Sequence, residues 1–281
     1  GRIVSVGRSS MPPEDAAYPV DAARSTGLAK GLCPGYQRLM LNLIEHGTKT
    51  DRPGLLIVHG LYGSARNWGV IAKRLSDARQ VIAVDMRNHG LSPWYDTHSY
   101  PDLADDLAGV LQNLDGPFDV LGHSMGGKAS MVLALTRPAL VNRLIVADIA
   151  PVTYTHTQIQ YIDAMKAVVA EQLEGLVDDP TLISFFTQSL DVKEKKWRLN
   201  LDVLAAEMPK ILSFPDMTGK HYDGPALFLS GADSDYVKRE YRNEIKSLFP
   251  KAQFAKIPGA GHWLHAEKPR EFEAAIRTWL G

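Results

Sequence analysis

The chain has 281 residues, of which 45% are hydrophobic and 22% are charged, and its formal net charge is −1. This composition is typical of a soluble globular protein with one large domain or two small ones. The charge gives no electrostatic reason to expect nucleic acid or an anionic membrane as a partner, and the single cysteine, Cys33, excludes an intrachain disulfide and a multi-cysteine zinc site.

Residues 1–35 show no convincing element and are interpreted as an N-terminal tail. Met11, followed by PPEDAA, is typical of a native start, so we expect residues 1–10 to be a remnant of cloning. The tail lacks the apolar core of a signal peptide, and no run in the chain approaches the roughly 20 apolar residues that span a bilayer. Together with the single cysteine, these features predict a cytoplasmic protein.

Beyond the tail, short apolar runs alternate with longer segments of helical periodicity. The predicted elements are a strand in RLMLNLIEHG, a strand in GLLIVHG, a helix in NWGVIAKRL, a strand in QVIAVDM, a helix in DLADDLAGVLQNL, a strand in FDVLGHS, a helix in GGKASMVLALTRP and a strand in RLIVADIAP. Near-continuous apolar strands that alternate with helices favour a mostly parallel sheet with helices on both faces. Right-handed crossovers make this a doubly wound α/β architecture.

The alternation stops between about residues 152 and 216, where no strand is predicted. This stretch contains the amphipathic segments IQYIDAMKAVVAEQLEGL and LISFFTQSL, which we interpret as a helical cap inserted into the α/β domain. The pattern resumes with a strand in PALFLSG, a helix in EYRNEIKSLF, a strand in AQFAKIPG and a final helix in EFEAAIRTWL. The sequence therefore predicts one domain over residues 36–281, with the cap at about 152–216.

The segment FDVLGHSMGGKAS contains the pattern G-x-S-x-G, with Ser124 at its centre. The pattern gains weight from its context, because a strand precedes it and a helix follows it. A serine on such a strained turn projects its hydroxyl above the sheet edge, and Gly122 and Gly126 lack the Cβ atoms that would collide there. Ser124 is therefore the predicted nucleophile.

A serine that attacks an acyl group needs two N–H donors for the oxyanion. The backbone amide of Met125, directly after the nucleophile, is expected to be one of them. The loop in GLLIVHGLYGSARNW is expected to supply the other through the Leu61 amide. His59, at the end of that strand, is interpreted as a structural residue of the loop.

Among the nine histidines, His262 is the predicted base. It lies in the glycine-rich turn IPGAGHWLHAEKP, between the last strand and the last helix, from which it can reach across to Ser124. The chain order of serine, acid and histidine then follows the hydrolase pattern. His265 is the nearest competitor, but it falls at the start of the final helical region.

The motifs GHSMGG, HGLYGS and GAGHWLHAEKP resemble those of the α/β-hydrolase superfamily, and VDMRNHGLS and VADIAPVTY narrow the resemblance to the small YbfF-type esterases. The resemblance covers about residues 36–281 and is weakest in the cap. It implies an α/β-hydrolase fold and hydrolysis of carboxylic esters, in some members acyl-CoA thioesters. It also implies that neither a metal nor a cofactor takes part.

The triad acid has three candidates. In most members of the superfamily it is the third residue after the glycine that ends the strand equivalent to PALFLSG, but Ser234 occupies that position, between Asp233 and Asp235. The resemblance implies that YbfF-type enzymes take the acid from an earlier strand, which here ends at Asp148. We favour Asp148, and keep Asp235 and then Asp233 as alternatives.

The predicted function is that of a serine hydrolase that cleaves esters of small to medium acyl chains through an acyl-enzyme. Its partner is a small-molecule ester or thioester. An acyl-CoA thioesterase would use the same catalytic residues, and a non-catalytic receptor on a hydrolase fold is the remote alternative. Aromatic residues of the cap and of the oxyanion loop are expected to line the acyl pocket, namely Tyr62, Phe185, Phe186 and Trp197. The sequence does not indicate an oligomeric state.

Overall fold

The computed structural model describes residues 40–155, 158–167, 180–191 and 193–281. The predicted N-terminal tail, residues 1–35, and the middle of the predicted cap, residues 168–179, lie outside the described residues. Within the described ranges, no helix combines the length and the apolar character needed to cross a bilayer.

The first half of the described chain alternates strands and helices, as the sequence predicts. Its elements are β1 (Leu43–His46), β2 (Gly54–Val58), α1 (Gly69–Leu75), β3 (Val81–Val84), α2 (Tyr100–Gln112), β4 (Phe118–His123), α3 (Met125–Thr136) and β5 (Leu144–Ala147). Every residue of β2, β3, β4 and β5 is buried, as expected of strands that are covered by helices on both faces. The start of α2 is set locally by Ser99, whose hydroxyl accepts a hydrogen bond from the Asp102 N–H.

The segment predicted as a cap is mainly helical in its described part. Its elements are α4 (Ile159–Ala167), α5 (Pro180–Thr187), β6 (Leu190–Asp191), β7 (Lys196–Trp197), α6 (Leu201–Ala206) and α7 (Met208–Leu212). The prediction that this segment contains no strand is wrong, because β6 and β7 form an antiparallel ribbon. Each of these strands is only two residues long, which is too short to show the alternation that marks a strand.

The chain then returns to the α/β pattern. The remaining elements are β8 (Ala226–Gly231), α8 (Arg242–Leu248), β9 (Ala252–Ile257), α9 (Leu264–Glu267) and α10 (Pro269–Leu280). The four-residue α9 carries His265, and it directly follows the turn that carries His262. The predicted strands and helices of this region are therefore confirmed, with one short helix added.

The central sheet has seven strands in the order β1-β3-β2-β4-β5-β8-β9. Strand β1 is antiparallel to β3, and all other neighbours are parallel. Because β4 lies between β2 and β5, and β8 lies next to β5, the carboxyl ends of these four strands meet at one edge of the sheet. The residues that follow those ends, including Ser124 and Asp148, are therefore brought together there.

Two hydrophobic cores lie on the two faces of the sheet, and alternate residues of β2 point into each of them. Leu56 and Val58 belong to the core that also contains residues of α2, α3 and the cap helices. Leu55 and Ile57 belong to the core formed with α1 and α10. The described helices of the predicted cap, α4 to α7, thus pack on the face that carries α2 and α3.

Candidate active site

Ser124 lies on a strained turn between β4 and α3. Its φ and ψ are 52° and −119°, a conformation that non-glycine residues rarely adopt. The turn is tightly packed, because a Cβ on Gly122 would lie 2.3 Å from the carbonyl oxygen of Gly126. A Cβ on Gly126 would lie 2.4 Å from the carbonyl oxygens of Val58 and His59. The two glycines therefore allow the close packing that holds Ser124 in this conformation.

Ser124, His262 and Asp148 form a hydrogen-bonded chain. The Ser124 Oγ lies 3.0 Å from His262 Nε2, and His262 Nδ1 lies 2.8 Å from Asp148 Oδ2. A carboxylate can only accept, so Nδ1 carries the proton and donates it to Asp148, which leaves Nε2 free to accept the Ser124 hydroxyl proton. The arrangement has the geometry required for a serine nucleophile activated by a histidine.

The carboxylate of Asp148 is fully buried and is compensated by three donors. Its Oδ1 accepts from the Gly231 N–H at 3.0 Å. Its Oδ2 accepts from the Ser234 hydroxyl at 2.5 Å and from His262. Because a buried charge is costly unless it is hydrogen-bonded, these donors both stabilise the carboxylate and orient it. Asp148 also has a positive φ of 53°, which turns the chain sharply at the end of β5.

The structure does not bring the two alternative acids to His262. Asp233 and Asp235 are both exposed. Within the described part of the chain, neither carboxylate is a hydrogen-bond partner of His262. Between them, Ser234 occupies the position where an acid is expected, and its hydroxyl donates to Asp148 at the end of the neighbouring strand.

The imidazole of His262 is held by stacking on one face and by a hydrogen bond to its backbone. The ring of Tyr236 stacks on it, with centroids 3.8 Å apart and planes inclined by 18°. His123 Nε2 donates to the His262 carbonyl oxygen at 2.9 Å. Burial lowers the pKa of His123 well below its ordinary value, so His123 is neutral and acts as a structural donor.

Leu61 and Met125, whose backbone amides are the predicted oxyanion donors, line the same cavity as Ser124. In the loop that carries Leu61, the next amide, that of Tyr62, donates to His89 Nε2 at 3.2 Å and is not free for an oxyanion. Met125 is the first residue of α3, and N–H groups in the first turn of a helix have no intrahelical acceptor. The oxyanion role of these two amides stays a prediction.

His59 links this loop to the sheet, in agreement with its predicted structural role. Its Nδ1 donates to the Gly60 carbonyl oxygen at 2.7 Å, and its Nε2 accepts from the Met86 N–H at 3.0 Å. Both ring nitrogens are therefore occupied by the backbone.

A narrow cavity of about 40 Å³ adjoins Ser124 and His262. Its other walls combine aliphatic and methionine side chains, four aromatic side chains and two further polar side chains. These are Leu61, Met125, Ile149, Ile211 and Leu212, then Tyr100, Tyr154, Tyr236 and Trp263, and finally Lys128 and Gln158. A space of this size holds only a few water molecules. The cavity lies between the sheet edge and the cap.

The four aromatic residues predicted to line the acyl pocket lie elsewhere, so this prediction is wrong for the cavity at Ser124. Tyr62 is buried, and its hydroxyl donates to the Gln158 carbonyl oxygen at 2.8 Å. The Phe186 ring packs edge-on against Tyr62 at 5.7 Å, and Phe185 lies 4.3 Å from the ring of Trp263. Trp197 is tied to the backbone of α4. Helical spacing of aromatic residues does not distinguish a core from a ligand pocket. Here Tyr62 and Phe186 are buried in the core, and Phe185 and Trp197 pack against it.

Three residues of the site were not assigned a role from the sequence, namely Lys128, Ser234 and Tyr236. Lys128 is recognisable in the sequence, because it is a lone lysine in the mainly apolar helix GGKASMVLAL. In the sequence, Ser234 stands out only because it occupies the position of an expected acid. Nothing in the sequence indicated that Tyr236 would stack on His262.

Comparison with known proteins agrees with this fold. The family model described as "Alpha/beta hydrolase family" matches residues 55–275, and the chain belongs to this family. It is 41% identical over 250 residues to the mouse protein named "sn-1-specific diacylglycerol lipase ABHD11", covering 81% of this chain and 81% of that protein. It is 38% identical over 239 residues to "Esterase YbfF" of Escherichia coli, covering 80% of this chain and 92% of that protein.

A solved structure described as "Marine microorganism esterase" superimposes with a TM-score of 0.80 at 37% identity, covering 86% of this chain and all of that one. The predicted α/β-hydrolase fold and the resemblance to YbfF-type esterases are therefore confirmed.

Proposed function

We propose that this chain is a serine carboxylesterase in which Ser124 is the nucleophile, His262 the base and Asp148 the acid. The observation that carries the proposal is the 3.0 Å contact between Ser124 Oγ and His262 Nε2 beside a cavity. The esterase and lipase names of the relatives support the same reaction.

Acylation begins when Ser124 Oγ attacks the ester carbonyl carbon and its proton passes to His262 Nε2. The carbonyl oxygen becomes an oxyanion, which the amides of Leu61 and Met125 stabilise. His262 then gives the proton to the departing alkoxide, so that the alcohol leaves and the acyl group remains on Ser124. Asp148 holds the imidazole in the required tautomer and stabilises the imidazolium that forms.

Deacylation repeats these steps with water. His262 removes a proton from the water, whose oxygen attacks the acyl-enzyme carbonyl carbon. The second oxyanion occupies the same amides. Its collapse returns the proton to Ser124 Oγ and releases the carboxylic acid.

We propose small to medium acyl chains as the substrate class. The cavity of about 40 Å³ beside Ser124 supports short acyl groups. The mouse relative is named for the hydrolysis of diacylglycerol, so the upper limit of chain length is the quantity to measure. A series of p-nitrophenyl esters from acetate to palmitate, assayed as kcat/KM, is expected to show highest activity at short chains.

The experiment that tests the proposed reaction is labelling with a fluorophosphonate, together with hydrolysis of p-nitrophenyl butyrate. Wild type is expected to label and to turn over, whereas Ser124→Ala does neither. Ser130→Ala is a matched control on the same helix, because the Ser130 hydroxyl donates to the Gly126 carbonyl oxygen and does not line the cavity. Absence of both labelling and turnover in wild type would favour the non-catalytic receptor.

An acyl-CoA series separates the ester reaction from the thioester alternative, since both use the same catalytic residues. Activity on butyryl-CoA above that on butyrate esters would establish a thioesterase. The sequence KEKKWR at residues 193–198 is locally basic and favours coenzyme A, because cationic side chains attract its phosphates. Its Arg198 is already paired with Asp191 at 2.8 Å.

The proposal includes a cytoplasmic location and a small-molecule ester as partner. The single cysteine supports this location, because the chain contains no cysteine pair that would need an oxidising compartment. Cell fractionation with an antibody against the chain tests it.

A further inference from the structure

A buried lysine that the proposed reaction does not use lies beside Ser124. Lys128 follows Ser124 by one turn of α3, and its backbone N–H donates to the Ser124 carbonyl oxygen at 3.0 Å. Only 1% of its surface is exposed, yet it lines the cavity at Ser124 and His262. Because lysine is almost never fully buried without a partner, its surroundings indicate what it is there to bind.

The ammonium of Lys128 is surrounded by neutral groups. Its Nζ donates to the carbonyl oxygens of Leu212 at 2.8 Å and Ser213 at 2.7 Å. The rings of Tyr154 and Tyr100 lie 4.8 Å and 5.6 Å from Nζ. No carboxylate in the described ranges forms a salt bridge with it, and burial lowers the pKa of Lys128 to about 7. The charged form therefore has no counter-ion among the described residues.

One N–H donor of this ammonium has no protein acceptor among the described residues. An ammonium carries three N–H donors, and the carbonyls of Leu212 and Ser213 take two of them. The remaining donor has no acceptor among the described residues. Since a buried cation gains most from a hydrogen-bonded anion, a carboxylate in the cavity is the ligand that best completes this site.

On the basis of the proposed ester hydrolysis, we propose that Lys128 binds a carboxylate of the substrate and thereby determines specificity. The preferred substrates are then esters that carry a free carboxyl group. The carboxylate accepts from Lys128 Nζ while the ester carbonyl lies at Ser124, one helical turn away. The carboxylate belongs either to the acyl part, as in a hemiester of a dicarboxylic acid, or to the alcohol part, as in an ester of a hydroxy acid. The chemistry of recognition is the same in both.

Wild-type protein tests this with two pairs of isosteric substrates in a pH-stat assay. The acyl pair is monoethyl glutarate and ethyl 4-carbamoylbutanoate, and the alcohol pair is 2-carboxyethyl butanoate and 2-carbamoylethyl butanoate. A hydrogen bond to a charged group predicts that kcat/KM is about ten- to a hundredfold higher for the carboxylate member of one pair. The pair that shows this preference identifies the part of the ester that Lys128 binds. Equal kcat/KM values within both pairs overturn the proposal.

Two variants assign the preference to Lys128. Lys128→Met, which keeps the length of the side chain without its charge, is expected to bring the two members of the preferred pair to equal kcat/KM. Lys73→Met removes an exposed lysine of α1, changes the net charge equally, and is expected to keep the preference. A Lys128→Met protein that still favours the carboxylate overturns the proposal.

The proposed function is checked separately with ethyl butanoate and fluorophosphonate labelling. A wild-type protein that labels and cleaves ethyl butanoate without preferring carboxylates contradicts only the role of Lys128. A wild-type protein that neither labels nor cleaves any ester contradicts the esterase itself, and the Lys128 proposal with it.

Discussion

Ser234 donates its hydroxyl hydrogen to Asp148 Oδ2 at 2.5 Å, the same oxygen that His262 Nδ1 contacts at 2.8 Å. The residue that stands where an acid is expected therefore contacts Asp148, which follows the adjacent strand β5. Together with the Gly231 N–H on Oδ1, the Ser234 hydroxyl restricts the carboxylate to one orientation toward His262.

Removing this hydroxyl is expected to impair turnover without abolishing it. In Ser234→Ala the carboxylate loses one donor and keeps two, and a hydrogen bond to a charged group predicts a fall of about tenfold in kcat. The loss should fall on kcat and leave KM nearly unchanged, because Ser234 acts through Asp148. Ser234→Thr retains the hydroxyl and should restore most of kcat, as measured with p-nitrophenyl butyrate. Equal kcat values for the alanine variant and wild type would show that the contact has no catalytic effect.

The turn at Ser124 is expected to tolerate no side chain at Gly126. A Cβ there would lie 2.4 Å from two backbone oxygens of the strand end, so Gly126→Ala should cost about 3 kcal/mol or more of the free energy of unfolding. Activity should fall with it, since the strand and the helix must separate. Denaturant unfolding and ester turnover provide the two readouts.

Gly69→Ala is the matched control for this prediction. Gly69 has helical φ and ψ of −53° and −41°, and nothing lies within 4 Å of the position its Cβ would occupy. The substitution should stabilise the protein by about 0.5–1 kcal/mol, because alanine restricts the unfolded chain. An equal loss of free energy of unfolding in Gly69→Ala and Gly126→Ala would contradict the steric explanation of the turn.

His265 is expected to make the protein sensitive to acid. It is buried, and its ring stacks on Trp68 with centroids 4.2 Å apart. Burial lowers its pKa from 6.5 to about 3. Between these two pH values the unfolded chain binds a proton on this residue and the folded chain does not, so stability falls as the pH falls.

His265→Phe keeps an aromatic ring against Trp68 and removes this proton uptake. Relative to wild type, the variant should gain free energy of unfolding as the pH falls from 6.5 toward 4, by at most about 1.4 kcal/mol per pH unit. Urea unfolding at pH 7, 6 and 5 measures the difference. A difference that does not change with pH would show that His265 is not a neutral buried base in the folded protein.

The sheet was predictable from sequence because its strands are short apolar runs bounded by turns and separated by helices. Strands β2 to β5 are all fully buried, and this burial is what their continuous apolar sequence reflects. The ribbon of β6 and β7 and the helix α9 were not predicted. Elements of two to four residues do not complete a periodic pattern.

The positions of Ser124 and His262 could be predicted because each lies in a local motif, a tight turn and a glycine-rich loop. The acid could not be assigned locally. Strands β5 and β8 are neighbours, with Ala147 paired to Leu229, so Asp148 and the two later aspartates all emerge near the same edge. Only the three-dimensional arrangement shows that Asp148 lies against His262 while Asp235 is exposed.

The substrate cavity was the least predictable part of the site. Aromatic residues at helical spacing suit a packed core as well as a pocket, and those of the cap form a core. Lys128, the lysine that lines the cavity, is a single charged residue in a mainly apolar helix. Its surroundings cannot be read from the local sequence, because its ammonium donates to the carbonyl oxygens of Leu212 and Ser213, which are distant in the chain.

The measurement that tests the account most directly is the turnover of p-nitrophenyl butyrate by Asp148→Asn, with Asp235→Asn as the control and circular dichroism to verify folding. Our assignment of Asp148 as the triad acid predicts a fall in kcat of about 10⁴-fold for Asp148→Asn, because asparagine stabilises the wrong imidazole tautomer. Asp235→Asn should retain wild-type activity. A fall of less than about tenfold in a folded Asp148→Asn protein would contradict the assignment, since loss of a triad acid costs far more.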